Sequence, residues 1–186
     1  IHDDESIPEA LPSVAALLSG SDHTSEAITR RLLSANLRVG GSENAQRLID
    51  YALDKTHPDA MRAEALLCLR DWDRRPFIDR VEGRVRTLSQ RDDRLAKRLV
   101  EAKLQKLFEV SDGEMLAELI RLCERLEINL GAGPLLVIAR SESQDLTARV
   151  QAVQSITGQE DIAQPLLDLT RNRHSQIQVA AVQKLA

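Results

Sequence analysis

Residues 143–156 read Ser-Gln-Asp-Leu-Thr-Ala-Arg-Val-Gln-Ala-Val-Gln-Ser-Ile, and this stretch decides the fold. A related stretch follows at an offset of 29 residues, where residues 172–185 read Asn-Arg-His-Ser-Gln-Ile-Gln-Val-Ala-Ala-Val-Gln-Lys-Leu and Ala152 falls on Ala181. In both copies the apolar side chains recur at the three-to-four spacing of an amphipathic helix. A helix that returns at a fixed interval is typical of proteins built from stacked helical repeats.

The same alignment extends to an earlier part of the chain. It places Arg62, Ala65 and Leu69 over Arg149, Ala152 and Ile156. A small alanine lets two helices approach closely, the apolar positions fill the layer between helical hairpins, and an arginine near the helix start can reach the neighbouring turn. We predict that these six residues are the structural signature of a repeat.

Amphipathic periodicity continues along most of the chain and predicts ten helices. The turns between them are short, which favours antiparallel pairing into hairpins. The predicted pairs are 8–19 with 25–37, 42–55 with 58–71, 91–108 with 112–126, 134–140 with 145–156, and 161–170 with 175–185. The first and third pairs rest on periodicity alone. We therefore expect an all-α protein, a right-handed α-α superhelix of about five helical hairpins that forms one domain over residues 1–186.

Local patterns predict where helices begin and end. Gly40-Gly41-Ser42 is predicted to end one helix and cap the next. Ser111 and Glu114 have the spacing of a capping box at the start of a helix near Asp112. Residues 72–90 lack a clear period and are predicted to be an irregular insertion between two hairpins.

Composition supports the helical interpretation and excludes several classes of protein. Leu and Ala account for 49 of the 186 residues and aromatic residues for four, which favours packed helices over sheets. Hydrophobic residues make up 42% and charged residues 29% of the chain, which is too apolar for disorder and too polar for a membrane protein. No apolar run approaches the length of about 18 residues that spans a bilayer. The net charge of −4 argues against general binding to nucleic acid or anionic lipid.

The repeat resembles the HEAT type, whose second helix begins with an acidic residue, a hydrophobic-Arg pair, and then Ala and Leu. Residues 59–69, Asp-Ala-Met-Arg-Ala-Glu-Ala-Leu-Leu-Cys-Leu, are similar to this pattern, and residues 145–156 follow it with Ala148 in the hydrophobic position. The last copy departs, with His174 in place of Asp and Gln178 in place of Arg. The resemblance implies a HEAT/armadillo-like solenoid that acts as a scaffold or protein-interaction module.

A narrower resemblance covers residues 25–95. It rests on four strings: residues 34–41, Ser-Ala-Asn-Leu-Arg-Val-Gly-Gly; residues 61–66, Met-Arg-Ala-Glu-Ala-Leu; residues 71–72, Asp-Trp; and residues 79–88, Asp-Arg-Val-Glu-Gly-Arg-Val-Arg-Thr-Leu. These resemble the helical segment of large planctomycete-type bacterial proteins that join a dehydrogenase-like β-propeller to HEAT repeats and a c-type cytochrome. The resemblance implies a spacer between the propeller and the haem domain, in a periplasmic or secreted protein.

Motifs of catalysis and cofactor binding are absent from the sequence. The four histidines and two cysteines show none of the paired spacings that hold zinc. There is no phosphate-binding glycine loop and no Gly-x-Ser-x-Gly elbow, and the haem-attaching Cys-x-x-Cys-His is also missing. We expect Cys68 and Cys123 to be buried thiols. We predict no catalytic residue, metal site or cofactor in this segment, and no enzymatic activity of its own. The alternative of a nucleotide- or lyase-type enzyme stays open and would require a concave pocket with convergent titratable groups.

One segment differs in charge from the rest of the chain. Residues 70–98 hold ten basic and six acidic residues, a local balance of +4 within a chain of −4. The candidate docking surface consists of the arginines of the insertion: Arg74, Arg75, Arg80, Arg84 and Arg86.

Three interpretations of this segment remain open. The arginines could pair with nearby acids and tie the insertion to its hairpins, with Trp72 and Phe77 as buried anchors. They could also dock a protein, either a neighbouring domain of the parent chain or a separate partner. The third interpretation is a phosphate-binding stripe of a nucleic-acid-binding or DNA-repair module. Interleaved acids argue against this last interpretation, so we expect a protein partner rather than nucleic acid.

The two ends of the chain suggest a piece of a larger protein. The sequence begins at Ile1 and ends inside a helical pattern. Val179, Val182 and Leu185 form an apolar stripe on the last predicted helix, and we expect self-association through this stripe.

Overall fold

The computed structural model describes residues 7–20, 25–74, 77–81, 83–86, 88–157 and 162–186. Over these residues the fold is all-α apart from two strands of two residues each. Within the described residues the helices are α1 (Leu11–Ala16), α2 (Glu26–Val39), α3 (Gly41–Leu53), α4 (Asp59–Arg70), α5 (Arg94–Val110), α6 (Gly113–Arg125), α7 (Ala132–Arg140), α8 (Leu146–Gln154), α9 (Ala163–Leu169) and α10 (Ser175–Leu185). Each corresponds to one helix predicted from periodicity.

The chain forms two compact units, Ile1–Lys103 and Leu104–Ala186, and the boundary falls within α5. In the first unit α1 packs against α2, α3 packs against α4, and α2 packs against both α3 and α4. Leu33, Leu48, Ile49, Leu66 and Leu69 are fully buried in this unit. Their burial removes apolar surface from water, which is the main favourable contribution to folding.

In the second unit α7 packs against α8 and α9 packs against α10, while α8 also contacts α6 and α10. One apolar core connects these helices, and its members include Ile120 from α6, Leu135 from α7, Ala152 from α8, Leu166 from α9 and Ile177 from α10. Alanine at position 152 is fully buried, so the helices that contact α8 lie close to its backbone.

The predicted glycine break between α2 and α3 is confirmed, but Ser42 lies inside α3, and no side chain caps that helix. Gly40 has a φ of 73° and lies between the two helices, where its amide donates to the carbonyl of Asn36. A positive φ is readily adopted only by glycine, which explains the sharp break.

The predicted capping box at the start of α6 is wrong. Asp112 is the N-cap residue, and no side chain caps the helix there. The hydroxyl of Ser111 instead donates to the carbonyl of Leu107 at 2.6 Å, within the last turn of α5. A serine hydroxyl can bond back to the preceding turn of a helix, and here this bond replaces the cap.

The insertion predicted for residues 72–90 contains a short antiparallel strand pair, β1 (Phe77–Ile78) and β2 (Val85–Arg86). The amide of Asp79 donates to the carbonyl of Arg84, and the amide of Gly83 donates to the carbonyl of Asp79, which closes the loop between the strands. Ile78 and Val85 face each other across the pair, and their exposed fractions are 63% and 69%. The hairpin therefore presents an apolar pair to solvent.

Candidate functional site

Two buried arginines form the same interaction in the two units. Arg62 donates from Nε to the carbonyl of Ala52 at 2.9 Å, and Arg149 donates from Nε to the carbonyl of Ala139 at 3.1 Å. In both cases the acceptor lies ten residues before the arginine, in the preceding helix. Both arginines are almost completely buried, with 2% and 3% of their surface exposed. Each guanidinium thus joins the two helices of its hairpin from the inside.

The other four residues of the predicted repeat signature are also buried. Ala65, Leu69 and Ala152 have no exposed surface, and Ile156 has 2%. In the departing last copy, Gln178 takes the arginine position and donates from Nε2 to the carbonyl of Asn172 at 2.6 Å. Its shorter side chain bonds to the turn before α10 rather than to the preceding helix.

Trp72 and Arg91 hold the two ends of the insertion against the first unit. Trp72 is 1% exposed, and the guanidinium carbon of Arg91 lies 4.6 Å from the centre of its ring. The Nη2 of Arg91 donates at 2.6 Å to the carbonyl of Leu37, in the last turn of α2. A Cβ atom at position 40 would overlap the Arg91 guanidinium, so the absence of a side chain on Gly40 leaves space for this guanidinium.

Arg80 is the basic residue of the candidate docking surface that is bound to the hairpins. Its guanidinium lies 2.8 Å from a carboxylate oxygen of Glu64 and 2.8 Å from one of Asp71. Glu64 also pairs with Arg30 of α2 at 3.0 Å, so two arginines share one carboxylate on α4. Next to this cluster, buried Asp79 accepts a hydrogen bond from the Ser34 hydroxyl at 3.1 Å. Ion pairs therefore tie the loop of the insertion to α4 and its end, and a hydrogen bond ties it to α2.

The remaining arginines of the candidate surface are distributed differently. Arg74 has a side chain that is 66% exposed and lies 3.5 Å from Asp71, while Arg84 is exposed on the loop between the strands. Arg75 and the side chain of Arg86 lie outside the described residues, as does the side chain of Phe77. Among the described members, Arg80 is bound to two carboxylates of its own chain, Arg74 is exposed but pairs with one, and Arg84 is exposed.

A polar network between α6 and α8 was not predicted from the sequence. Arg121 donates from Nη1 to Glu114 and to buried Glu118, both at 3.0 Å, and from Nε to Gln151 at 3.0 Å. Gln151 continues the network to Ser155 at 3.0 Å. The spacing of Glu114, Glu118 and Arg121 on one face of α6 indicates the ion pairs, but nothing in the sequence identifies the partner on α8.

The same network fixes a carboxylate at the end of α6. The hydroxyl of Ser155 donates to Glu124 at 3.0 Å, and the amide of Gln151 lies 3.4 Å from the same oxygen. Glu127 follows with a φ of 53°, the one positive φ at a non-glycine position in the described part of the chain. The Glu127 amide donates to the Glu124 carbonyl and the Ile128 amide to the Cys123 carbonyl. This is the Schellman ending of a helix, with glutamate in the position that usually holds glycine.

The two cysteines are buried and weakly ionised. Burial is the main cause that raises the pKa of Cys68 well above its usual range, and burial raises the pKa of Cys123 to about 12. Because the thiolate is the reactive form, both are poor nucleophiles at neutral pH. No group of three or more His, Cys, Asp or Glu side chains arranged to hold a metal ion occurs in the described ranges.

Comparison with known proteins finds no matching family model, no matching curated protein and no matching solved structure. Within the described part of the chain, no helix combines the length and apolar character needed to cross a membrane.

Proposed function

We propose that this chain is a non-catalytic HEAT-like scaffold, a right-handed solenoid of five helical hairpins that docks other proteins. The observation that carries the proposal is the equivalent pair of buried arginines. Arg62 and Arg149 bond to carbonyl groups the same number of residues upstream, in different units of the chain. A bond that recurs at equivalent positions supports one repeated hairpin rather than two unrelated helical folds.

In the parent protein, the scaffold holds neighbouring domains at a fixed separation. Its resemblance to propeller–cytochrome fusion proteins favours a spacer between a dehydrogenase-like propeller and a c-type haem domain. Within the scaffold, the exposed arginines Arg74 and Arg84 and the apolar pair Ile78 and Val85 supply a docking surface on the insertion. Mixed apolar and charged groups of this kind are typical of protein interfaces.

Nucleic-acid binding by the insertion has less support. A phosphate-binding stripe needs cations that are available to the phosphate backbone. Arg80, at the centre of the basic segment, is bound to two carboxylates, and the nearby acids Glu64, Asp71 and Asp79 would repel a phosphate track. We therefore propose a protein as the partner of this surface.

Lysine cross-linking with mass spectrometry on the full-length protein tests the proposal. We expect cross-links to both neighbouring domains from Lys97, the one lysine of residues 70–98, and from Lys103 and Lys106, which follow it on α5. An Arg74→Glu/Arg84→Glu double variant should lose the cross-links next to the insertion, whereas Arg171→Glu, at an exposed arginine outside it, should keep them.

Fluorescence anisotropy with labelled duplex DNA provides the opposing test. We expect no salt-sensitive binding at physiological ionic strength. Micromolar affinity that falls steeply with salt and is lost in Arg80→Glu/Arg84→Glu, combined with no cross-link to a neighbouring domain, would overturn the scaffold proposal in favour of nucleic-acid binding.

A further inference from the structure

The second unit has two adjoining depressions on either side of the loop between α6 and α7. The larger is an apolar groove of about 470 Å³ between the end of α5 and α7, lined by Leu104, Phe108, Pro134, Val137 and Ile138 among others. Val137 is 70% exposed, so a large part of this groove is open to solvent. Exposed apolar surface that is concave is the usual receptor for an apolar side chain of a partner.

The smaller depression is a cavity of about 240 Å³ with acidic groups on an apolar floor. Ile120 and Leu135 belong to its apolar wall, and Glu124, Glu127 and Ser155 belong to its polar wall. Leu135 lines the groove as well, as do Asn129 and Leu130, so the two depressions share one wall. A single short segment can therefore reach both.

Charge distinguishes this surface from the insertion. Among the described residues that line the two depressions there are two glutamates and no lysine or arginine. The Glu124 carboxylate is oriented by the neutral donors Ser155 and Gln151, and Gln151 is itself held by Arg121. A carboxylate fixed in this way is prepared for a cation, because little side-chain freedom is lost when the cation binds.

Glu127 supplies the second negative charge at a conformational cost. Its left-handed backbone is favourable for glycine and unfavourable for a residue with a Cβ. Glycine at this position would complete the same helix ending with less strain. Glutamate there is costly for folding, and the residue lines the cavity.

We infer that these two depressions bind a segment of a partner protein in which a lysine or arginine lies within a few residues of a large apolar side chain. The cation enters the cavity beside Glu124 and Glu127, with its aliphatic stem against Ile120 and Leu135. The apolar side chain occupies the groove beside Phe108 and Val137. The inference deepens the proposed function, because it states the chemistry of one partner of the scaffold.

A peptide-display selection on the full chain tests this inference. Random dodecapeptides are selected on the wild-type protein and counted against a Glu124→Gln/Glu127→Gly variant, whose second substitution relieves the strained backbone. We expect enriched peptides that combine Lys or Arg with Leu, Phe or Met within a few positions. No enrichment, enrichment of acidic peptides, or the same peptides on both proteins would overturn the inference.

Binding of the most enriched peptide, measured by fluorescence anisotropy, then assigns the two depressions separately. Glu124→Gln should weaken binding about tenfold and reduce its salt dependence. Val137→Lys should also weaken binding, because it places a cation in the groove, whereas Val179→Lys, at an exposed valine on α10, should not. Circular dichroism verifies that each variant is folded.

The remaining outcomes separate this inference from the proposed function and from self-association. The Arg74→Glu/Arg84→Glu variant should bind the peptide like wild type. If no selected peptide binds as expected while the cross-links to the neighbouring domains persist, the inference is wrong and the scaffold proposal stands. A dimer in sedimentation velocity that Glu124→Gln and Val179→Lys each dissociate would assign the surface to a second copy of the chain and overturn the inference.

Discussion

Replacing Gly40 with alanine should dislodge the arginine that anchors the insertion. A Cβ at position 40 would overlap the Arg91 guanidinium, with the guanidinium carbon only 3.0 Å away. The end of a long side chain can move, but this one donates to the Leu37 carbonyl at 2.6 Å and lies 4.6 Å from the centre of the Trp72 ring. Movement of Arg91 would break both interactions.

Gly41 provides a matched control for this substitution. The φ of Gly41 is 80°, close to the 73° of Gly40, but a Cβ atom at position 41 would have no neighbouring atom within 4 Å. Alanine at either position incurs the cost of a positive φ, about 1–3 kcal/mol. This backbone cost is higher at Gly40, because its ψ of −166° lies in a region that essentially only glycine adopts. Gly40→Ala should cost about 1–3 kcal/mol more, because it also removes a charged hydrogen bond and a cation–π contact.

Equilibrium unfolding in urea measures this difference. Trp72 is the single tryptophan of the chain, so its emission reports the environment of the anchor directly, and far-UV circular dichroism follows the helices. We expect Gly40→Ala to unfold at lower urea than Gly41→Ala and to shift the tryptophan emission of the folded state. Equal midpoints and an unchanged emission in the two variants would show that Arg91 is not displaced and does not anchor the insertion.

Other substitutions test the packing and the thiols. Ala65→Leu and Ala152→Leu should each overpack a closed helix contact and lower the free energy of unfolding by about 1–3 kcal/mol, measured by urea unfolding; wild-type midpoints would contradict the close packing. Trp72→Ala should cost about 3–5 kcal/mol by the same measurement, and an unchanged melting temperature would contradict its role as a buried anchor. Cys68 and Cys123 have raised pKa values in the folded protein, so above pH about 8.5 the unfolded chain binds fewer protons and stability should fall as pH rises. A double Cys→Ala variant should lose most of this alkaline decline; an identical pH profile would contradict the assignment.

The helices could be predicted from the sequence because each helix buries one face in the core, which places apolar residues at a spacing of three to four. The periodic apolar positions of 42–55 predict a helix that the structure has at Gly41–Leu53. The alignment of Arg62 with Arg149 likewise anticipates two side chains with the same hydrogen-bond geometry. Both inferences depend on contacts that repeat at a fixed spacing, and such contacts leave a pattern in the sequence.

Contacts formed only once leave no such pattern. Arg91 bonds to Leu37, 54 residues earlier, and no local feature of the sequence connects them. Ser111 has the sequence position of a helix cap, but its hydroxyl donates to a carbonyl of the preceding turn instead of accepting from an amide of the next helix, and spacing alone does not decide between these two bonds. Glu127 is a similar case. A glutamate after a helix gives no sequence signal for a left-handed backbone, and only the structure shows its φ of 53°.

The buried arginine that recurs in the two hairpins is tested by substituting each arginine with methionine and measuring the free energy of unfolding. Methionine keeps much of the apolar stem but leaves the carbonyl of Ala52 or Ala139 without its donor, at a cost of about 1–3 kcal/mol for a buried acceptor. We expect a loss of this size for Arg149→Met and a loss at least as large for Arg62→Met, because Arg62 also pairs with Asp59 at 2.7 Å. We expect no more than about 0.5 kcal/mol for Arg94→Met, whose side chain is 83% exposed. If either buried variant is as stable as the Arg94→Met control, the two hairpins are not equivalent units of one repeat.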